Sequence, residues 1–329
     1  LRRRGFNPTL IHTGQHHDYE LCQQFIHQLK LPRSSYSFKL KEHTPAGQIG
    51  EIMVKLERIL GRSGAKLLLI QGDTNSMLAA ALTGVKVGLK IGHVESGLRS
   101  YDWRMPEEHN RRMVDHVSEL LFAPTRKAEM NLMEEHVQGK AYVTGNTVID
   151  TLNQYLPTAT KESRIIDQIE FNDYALVTVH RAENVDDPTI LRNLVQSFIK
   201  SLTPIVFSVH PRTEERLRRQ DLYRKLASSK NIQMLPPVGY FDMLMLMKSA
   251  KLVMTDSGGL QEEATAPSIR KPVLVLRLST ERPEAVEAGF AKVVGVETAR
   301  ILKALRNTLD RPPRLPDKSP FGDGRAAER

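Results

Sequence analysis

Six segments of this 329-residue chain place acids, imidazoles or guanidinium groups directly after a short run of Val, Ile or Leu, or on the helix that follows one. In Asp256-Ser257-Gly258-Gly259, an apolar run enters a Ser-Gly-Gly turn and then a helical pattern. Free N–H groups and a partial positive charge at such a helix start suit a phosphate, and glycine lets the backbone approach it closely. Glu263 falls about one and a half turns further on, within reach of a ribose hydroxyl. The plain alternative is a tight turn capped by Ser257. Gln71-Gly72-Asp73-Thr74 ends a second run with an acid, to be weighed against a simple helix cap. His93-Val94-Glu95-Ser96-Gly97-Leu98-Arg99 gathers acid, imidazole and guanidinium at one strand end, with a Glu95–Arg99 ion pair as the structural alternative. Met105-Pro106-Glu107-Glu108 reads as a helix start on proline and dipole grounds, and as a source of a further acid. His180-Arg181 and His210-Pro211-Arg212 end two successive strands, which points to a basic wall in which a histidine could move protons. Arg277 and Thr280-Glu281-Arg282-Pro283-Glu284 add guanidinium groups for a diphosphate, or for pairing with the adjacent acids.

These groups need a scaffold that collects strand ends. Apolar runs at 9–12, 66–71, 89–94, 120–123 and 141–144 alternate with stretches of helical period at 47–60, 77–85 and 107–116. The pattern resumes with runs at 175–180, 205–210, 232–235, 252–255, 273–276 and 292–296, and helical stretches at 188–202 and 213–228. Strands of this composition alternating with helices predict parallel sheets covered on both faces. The pattern thins over 153–173, a predominantly polar stretch containing Pro157. The expected architecture is therefore α/β: two Rossmann-like doubly wound domains with an interdomain cleft. Residues 1–158 form the first domain, 159–172 a linker and 173–329 the second. Leu1-Arg2-Arg3-Arg4-Gly5 reads as the end of an amphipathic helix, so the expected first strand and its loop would lie upstream. The tail from 311 reads as an extended segment running into a helix cut short.

A formal charge of +9 raises nucleic acid as a partner, but the cations are interleaved with acids and form no aromatic-basic ladder. The same field suits a small anionic ligand. No apolar run approaches the ~20 residues needed to span a bilayer, so no membrane association is expected. The single cysteine, Cys22, excludes an intrachain disulfide, suits a reducing cytoplasm, and reads as a packed thiol. His12, His16, His17 and Asp18 do not match a zinc spacing, so no metal is expected.

Taken in order and spacing, Gln71–Thr74, His93–Arg99, Pro106-Glu107-Glu108 with Asn110-Arg111, His180-Arg181 with Glu183-Asn184, Asp256–Glu263 and Thr280–Glu284 resemble the non-hydrolysing UDP-N-acetylglucosamine 2-epimerases. The resemblance runs from Thr13-Gly14-Gln15-His16 to Gly322-Asp323-Gly324-Arg325. It implies the GT-B-like pair of Rossmann domains. It also implies reversible conversion of UDP-N-acetylglucosamine to UDP-N-acetylmannosamine, by elimination and re-addition of UDP without an added cofactor. Asp73, Glu95 and Glu107 would be the catalytic carboxylates and His180 the catalytic histidine. Ser257, Gly258 and Gly259 would hold phosphate, Glu263 the ribose and Arg282 the diphosphate. Gln15, His16, Arg181 and His210 resemble a second, regulatory UDP-N-acetylglucosamine site, and a homodimer is implied. Departures from the family pattern include the missing Gly-Thr-Arg-Pro-Glu loop, Leu278 in place of an Asp, and Met243 where an aromatic is usual. A glycosyltransferase of the same overall fold, or an epimerase acting on a related UDP-2-acetamido sugar, is the alternative.

Overall fold

The computed structural model describes residues 4–15, 26, 28–32 and 34–329. His16, His17, Asp18 and Cys22 lie outside the described residues. The chain divides into two compact units, Leu1–Thr144 and Gly145–Arg329.

In the first unit β1 (Ile11–His12) pairs in parallel with β2 (Tyr36–Ser37), a two-residue strand too short to leave a sequence period. A separate parallel sheet runs in the order β3 (Leu67–Gln71), β4 (Lys90–Val94), β5 (Leu120–Ala123), β6 (Lys140–Val143). The helix Pro45–Leu60 starts at Thr44, whose side chain accepts from the Gly47 N–H, and buries Ile52, Leu56 and Leu60 at helical spacing. It packs on the helix Asn75–Lys86, where Ala79, Ala80 and Ala81 are all buried and leave room for close approach.

The second unit holds a six-stranded parallel sheet in the order β12 (Ala291–Val293), β11 (Val273–Val275), β10 (Leu252–Thr255), β7 (Ala175–Thr178), β8 (Ile205–Ser208), β9 (Ile232–Leu235). Counted from β7 this is 3-2-1-4-5-6, the doubly wound order, and the direction of winding reverses between β7 and β10. Every residue of β7, β8 and β10 is buried, which accounts for their unbroken apolar runs.

Three expectations change here. Residues 147–162 form one helix, Thr147–Glu162, in the second unit, where the sequence pattern placed the end of the first domain and a linker. Pro157 breaks the helical signal, but Ile149, Leu152, Leu156 and Ala159 make a buried stripe against the helices Tyr240–Ser249 and Gly258–Glu263. That packing offsets the lost backbone hydrogen bond. The stretch 213–228 splits into Pro211–Arg219 and Tyr223–Ala227, separated at Asp221, whose φ is 55°. The tail folds onto the second unit, with Phe321 fully buried and the Ala326 and Ala327 N–H groups donating to the Asp150 carboxylate at 3.0 and 2.9 Å.

Candidate active site

Each unit presents its own groups. In the first, β3 runs into Gly72 (φ 81°) and Asp73, ahead of the helix Asn75–Lys86. Gln15 rather than Asp73 serves the start of that helix: the Ser76 N–H and hydroxyl donate to Gln15 Oε1 at 2.8 and 2.7 Å. The Asp73 carboxylate accepts instead from Arg111 Nη2 at 2.6 Å, while Asn110 Nδ2 donates to the Asp73 carbonyl at 2.9 Å. Asn110 and Arg111 lie three and four residues beyond Glu107 on the helix Pro106–His116, so Glu107 shares the face they turn toward Asp73. Glu108, its neighbour, points inward: fully buried, it accepts from Ser100, Tyr101, Arg111 and Arg112.

After β4, Glu95 adopts φ 74°, left-handed backbone that costs a non-glycine residue roughly 1 kcal/mol or more. A Cβ built on Gly72 would lie 3.8 Å from Glu95 Oε2, so the carboxylate stands over the turn that carries Asp73. The surroundings over-determine this conformation. The Glu95 and Ser96 N–H groups donate to the Phe122 carbonyl at 3.1 and 3.3 Å, and the Gly97 N–H donates to Asp115 Oδ2 at 3.1 Å. Asp115, fully buried, also meets His93 Nδ1 at 2.7 Å and Arg99 Nη1 at 2.8 Å. His93 Nε2 lies 3.0 Å from the Gly72 carbonyl. Both ring nitrogens of His93 thus face acceptors, which requires the doubly protonated form. Burial alone would lower the His93 pKa, but the Asp115 charge and hydrogen bond outweigh it and the pKa is raised. Burial likewise opposes ionisation of Asp115, and His93 and Arg99 overcome it, holding the carboxyl below its usual range. Arg99 completes a bidentate pair with Glu135 at 2.9 and 2.7 Å. The three-group turn expected from the sequence is therefore divided: Glu95 alone faces outward, while His93 and Arg99 are its buried support.

In the second unit the winding reversal between β7 and β10 brings His180 and Ser257-Gly258 to adjacent strand ends, where such sheets bind ligands. Asp256 is the anchor. Its carboxylate accepts from the His180 N–H at 3.1 and 3.0 Å, the Arg181 N–H at 3.0 Å and Asn184 Nδ2 at 2.9 Å, and faces His180 Nδ1 at 3.2 Å. Burial would raise its pKa, but these donors prevail and keep it below the carboxylate norm. Asp256 thereby fixes the ring with Nε2 as its remaining nitrogen, and 36% of the His180 side chain is accessible. The His210 ring lies 5.5 Å from it, and His210 Nδ1 accepts from the Arg212 N–H at 3.2 Å, leaving a proton for Nε2 in the neutral ring.

Ser257 caps the helix Gly258–Glu263 as the plain turn reading required, and its oxygen accepts from the Leu260 N–H at 3.5 Å. Gly258 leaves room for two buried side chains: a Cβ there would meet Glu281 Oε1 at 2.5 Å and Arg282 Cζ at 3.5 Å, so a larger residue would have to displace the Glu281 carboxylate. Glu281 bonds Arg277 Nη1 at 2.6 Å, and Arg282 Nε pairs with Glu262. Arg282 is thus buried and already committed to Glu262 on one edge, while its Nη1 lies 3.9 Å from Glu281 Oε1, one of the acids considered from the sequence. Burial pushes the Glu263 carboxyl up to about 7 against a stabilising Tyr240 hydroxyl, and burial with the Glu263 charge raises Tyr240.

The sign of that shift gives a prediction. Below pH 4.5 Glu263 is neutral folded or unfolded; from there to about 7 only the unfolded chain ionises, so stability falls as pH rises. The displacement from 4.5 to about 7 corresponds to about 3 kcal/mol. Denaturant titrations of Glu263→Gln at pH 4.5, 6 and 7.5 are expected to show that fall largely removed; an unchanged pH dependence refutes the assignment.

Of the expected regulatory residues, Arg181 and His210 stand beside His180 in the second unit, Gln15 supports a helix start in the first, and His16 is outside the described residues. Sequence reading missed Asp115, Asp256 and Tyr240 as supports. Only the placement of Asn110 and Arg111 one turn after Glu107 hinted at the clamp on Asp73.

Two α/β units built on parallel sheets, the first wound in one direction over β3–β6 rather than doubly wound as expected and the second doubly wound with a basic wall and a Gly-Gly helix start at its winding reversal, define a GT-B-like α/β enzyme. A family model described as UDP-N-acetylglucosamine 2-epimerase matches residues 1–329. A Methanocaldococcus jannaschii UDP-N-acetylglucosamine 2-epimerase is 40% identical over 100% of this chain and 91% of its own length. A crystal structure of the M. jannaschii enzyme in complex with UDP-GlcNAc and UDP superposes with a TM-score of 0.93 at 39% identity, covering 100% of this chain and 91% of that one. A Pseudomonas aeruginosa UDP-2,3-diacetamido-2,3-dideoxy-D-glucuronate 2-epimerase is 34% identical over 100% of this chain and 91% of its length. The chain belongs to the UDP-N-acetylglucosamine 2-epimerase family, a family of isomerases.

Proposed function

We propose that the protein interconverts UDP-N-acetylglucosamine and UDP-N-acetylmannosamine. The observation that carries this reading is Glu95, held in left-handed backbone with its carboxylate over the Gly72-Asp73 turn. A strained, over-determined acid of this kind belongs to a site rather than to a core. In the proposed course a carboxylate of the first unit takes the C2 proton, the electron pair becomes the C1=C2 bond, and the C1–O bond to UDP breaks. UDP then adds back at C1 while C2 receives a proton on its other face. Asp73, Glu95 and Glu107 share the acid and base work. His180, its Nδ1 turned to Asp256, offers Nε2 to the charge gathering on the departing diphosphate. The Ser257-Gly258-Gly259 helix start and Arg282 hold that diphosphate and Glu263 the ribose. Arg181 and His210, with Gln15 and His16, are the residues of the proposed regulatory role.

The test is proton NMR in heavy water with UDP-N-acetylglucosamine as sole substrate. Deuterium at C2 and a UDP-N-acetylmannosamine product are expected; UDP release with neither would favour a glycosyltransferase. His180→Asn is expected to lower kcat by about 10²–10³ with UDP affinity kept within a few fold, and a variant with normal turnover would remove His180 from the mechanism. The similarity to the P. aeruginosa enzyme makes a UDP-linked 2,3-diacetamido uronate the second substrate to try. A cytoplasmic, homodimeric enzyme is part of the same reading. Tyr101 bonds Asn131 on the helix Arg126–Glu134, which exposes Met130 and Met133 beside it, an apolar face suited to a second copy. No helix among the described residues is long and apolar enough to cross a membrane. Light scattering at twice the chain mass, lost in Met133→Glu, would support the dimer; a monomer throughout would not.

A further inference from the structure

A buried chain of contacts in the second unit joins the tail to Arg282 through residues that the mechanism above does not use. The Asn146 N–H donates to the Phe321 carbonyl at 2.7 Å. Its side chain is committed at both ends: Oδ1 accepts from the Val148 N–H at 3.0 Å, capping the helix Thr147–Glu162, and Nδ2 donates to Glu262 Oε2 at 2.8 Å. The other oxygen of Glu262 faces Arg282 Nε. The tail grips Glu262 a second time: the Ser319 and Thr265 hydroxyls are 2.6 Å apart, and Thr265 Oγ1 donates to the Glu262 carbonyl at 2.7 Å. Asn146, Glu262 and Arg282 are 3%, 1% and 6% exposed.

Each link has one geometry. An amide whose oxygen is fixed as a helix cap has its nitrogen aimed in one direction. A carboxylate held by that nitrogen presents its second oxygen in one place. An arginine engaged through Nε has its guanidinium plane fixed; Arg282 Nη1 donates to the Glu281 carbonyl at 3.5 Å, and a Cβ on Gly258 would lie 3.5 Å from both Cζ and Nη2 of Arg282. The guanidinium edge is thus set against the first residue of the Gly-Gly helix start.

We propose that Asn146, supported by the Ser319–Phe321 segment of the tail, is a positioning residue for Arg282, acting through Glu262 to aim the guanidinium at the diphosphate. The proposal rests on the reading of Arg282 as a diphosphate contact, and the experiment separates the two.

The probe is UDP, titrated by calorimetry against the full chain and three variants. Asn146→Ser keeps an N-cap oxygen but removes the amide donor; Arg282→Ala removes the positioned group; the third combines both. The expected result is UDP affinity about tenfold weaker in Asn146→Ser, the scale on which a small misplacement of a binding group acts. In the Arg282→Ala background the same substitution should have almost no further effect, because nothing is left to aim. A purely structural Asn146 would lower the melting temperature and give additive losses; that overturns the proposal. Parent-like affinity in Asn146→Ser with weakened binding in Arg282→Ala overturns it too, and leaves the diphosphate reading intact. Parent-like affinity in Arg282→Ala removes both. Should Asn146→Ser fail to fold, Ser319→Ala tests the same relay at its tail end, with a two- to threefold weakening expected, again absent when Arg282 is alanine; parent-like affinity there counts against the relay.

Discussion

Glu95→Gln is expected to stop deuterium uptake at C2, with turnover falling by about 10²–10⁴ while UDP affinity stays within about twofold. The amide keeps the size and placement of the side chain but cannot take or return a proton. Proton NMR in heavy water reads the exchange and calorimetry the binding. Turnover within tenfold of the parent would exclude Glu95 as an acid–base group. The backbone supplies an independent check on the same residue. At φ 74° an alanine keeps the left-handed cost and a glycine does not. Glu95→Gly should therefore be more stable than Glu95→Ala by about 1 kcal/mol, although both are inactive. Equal stabilities would mean that the turn relaxes once the acid is gone. Asp73→Asn and Glu107→Gln should lose exchange as well; exchange retained in either one without epimer formation would instead assign that acid to the second face alone.

Asp115→Asn is the change expected to cost most in stability. The carboxylate is fully buried and carries Gly97 N–H, Arg99 and His93 on its two oxygens. Removing one partner of such a network strands buried charge, with a cost of about 3–5 kcal/mol. The pH dependence should change with it. The raised His93 pKa means stability that is complete below its unfolded value of 6.5 and is lost as pH rises through the folded value. Asp115 acts oppositely: its lowered pKa gives stability that is present above 3.8 and lost as pH falls through the folded value. In Asp115→Asn the alkaline loss tied to His93 should largely disappear. Denaturant unfolding monitored between pH 6 and 9 is the measurement, and a loss under about 1 kcal/mol would show that the three groups are not held together as described. Because the same carboxylate fixes the Gly97 turn, exchange at C2 should fall in this variant even under conditions where it remains folded.

Much of this protein was legible in its residues. Strands such as Ala175–Thr178 and Leu252–Thr255 declared themselves because every residue is buried and the run is apolar up to its closing threonine. The candidate site segments were legible because α/β chains place ligand groups where strands end, and that position is marked locally by glycine, acids and histidine. The amphipathic face of the helix Thr147–Glu162 was hidden by Pro157, whose penalty is local while its compensation comes from helices about 90 to 100 residues away in sequence.

Residue types and spacing by themselves determined which chemistries were within reach: carboxylates and imidazoles at strand ends, and a Ser-Gly-Gly turn before a helix. Tertiary structure alone decided the employment of each. It buried His93 and Arg99 under Glu95, gave Gln15 a helix start to support, committed one edge of Arg282 to Glu262, and placed His180 beside Ser257 by reversing the winding between β7 and β10. The reason is physical. Whether a charged side chain serves a site or a scaffold depends on the partners that desolvation forces upon it, and those partners come from distant parts of the chain.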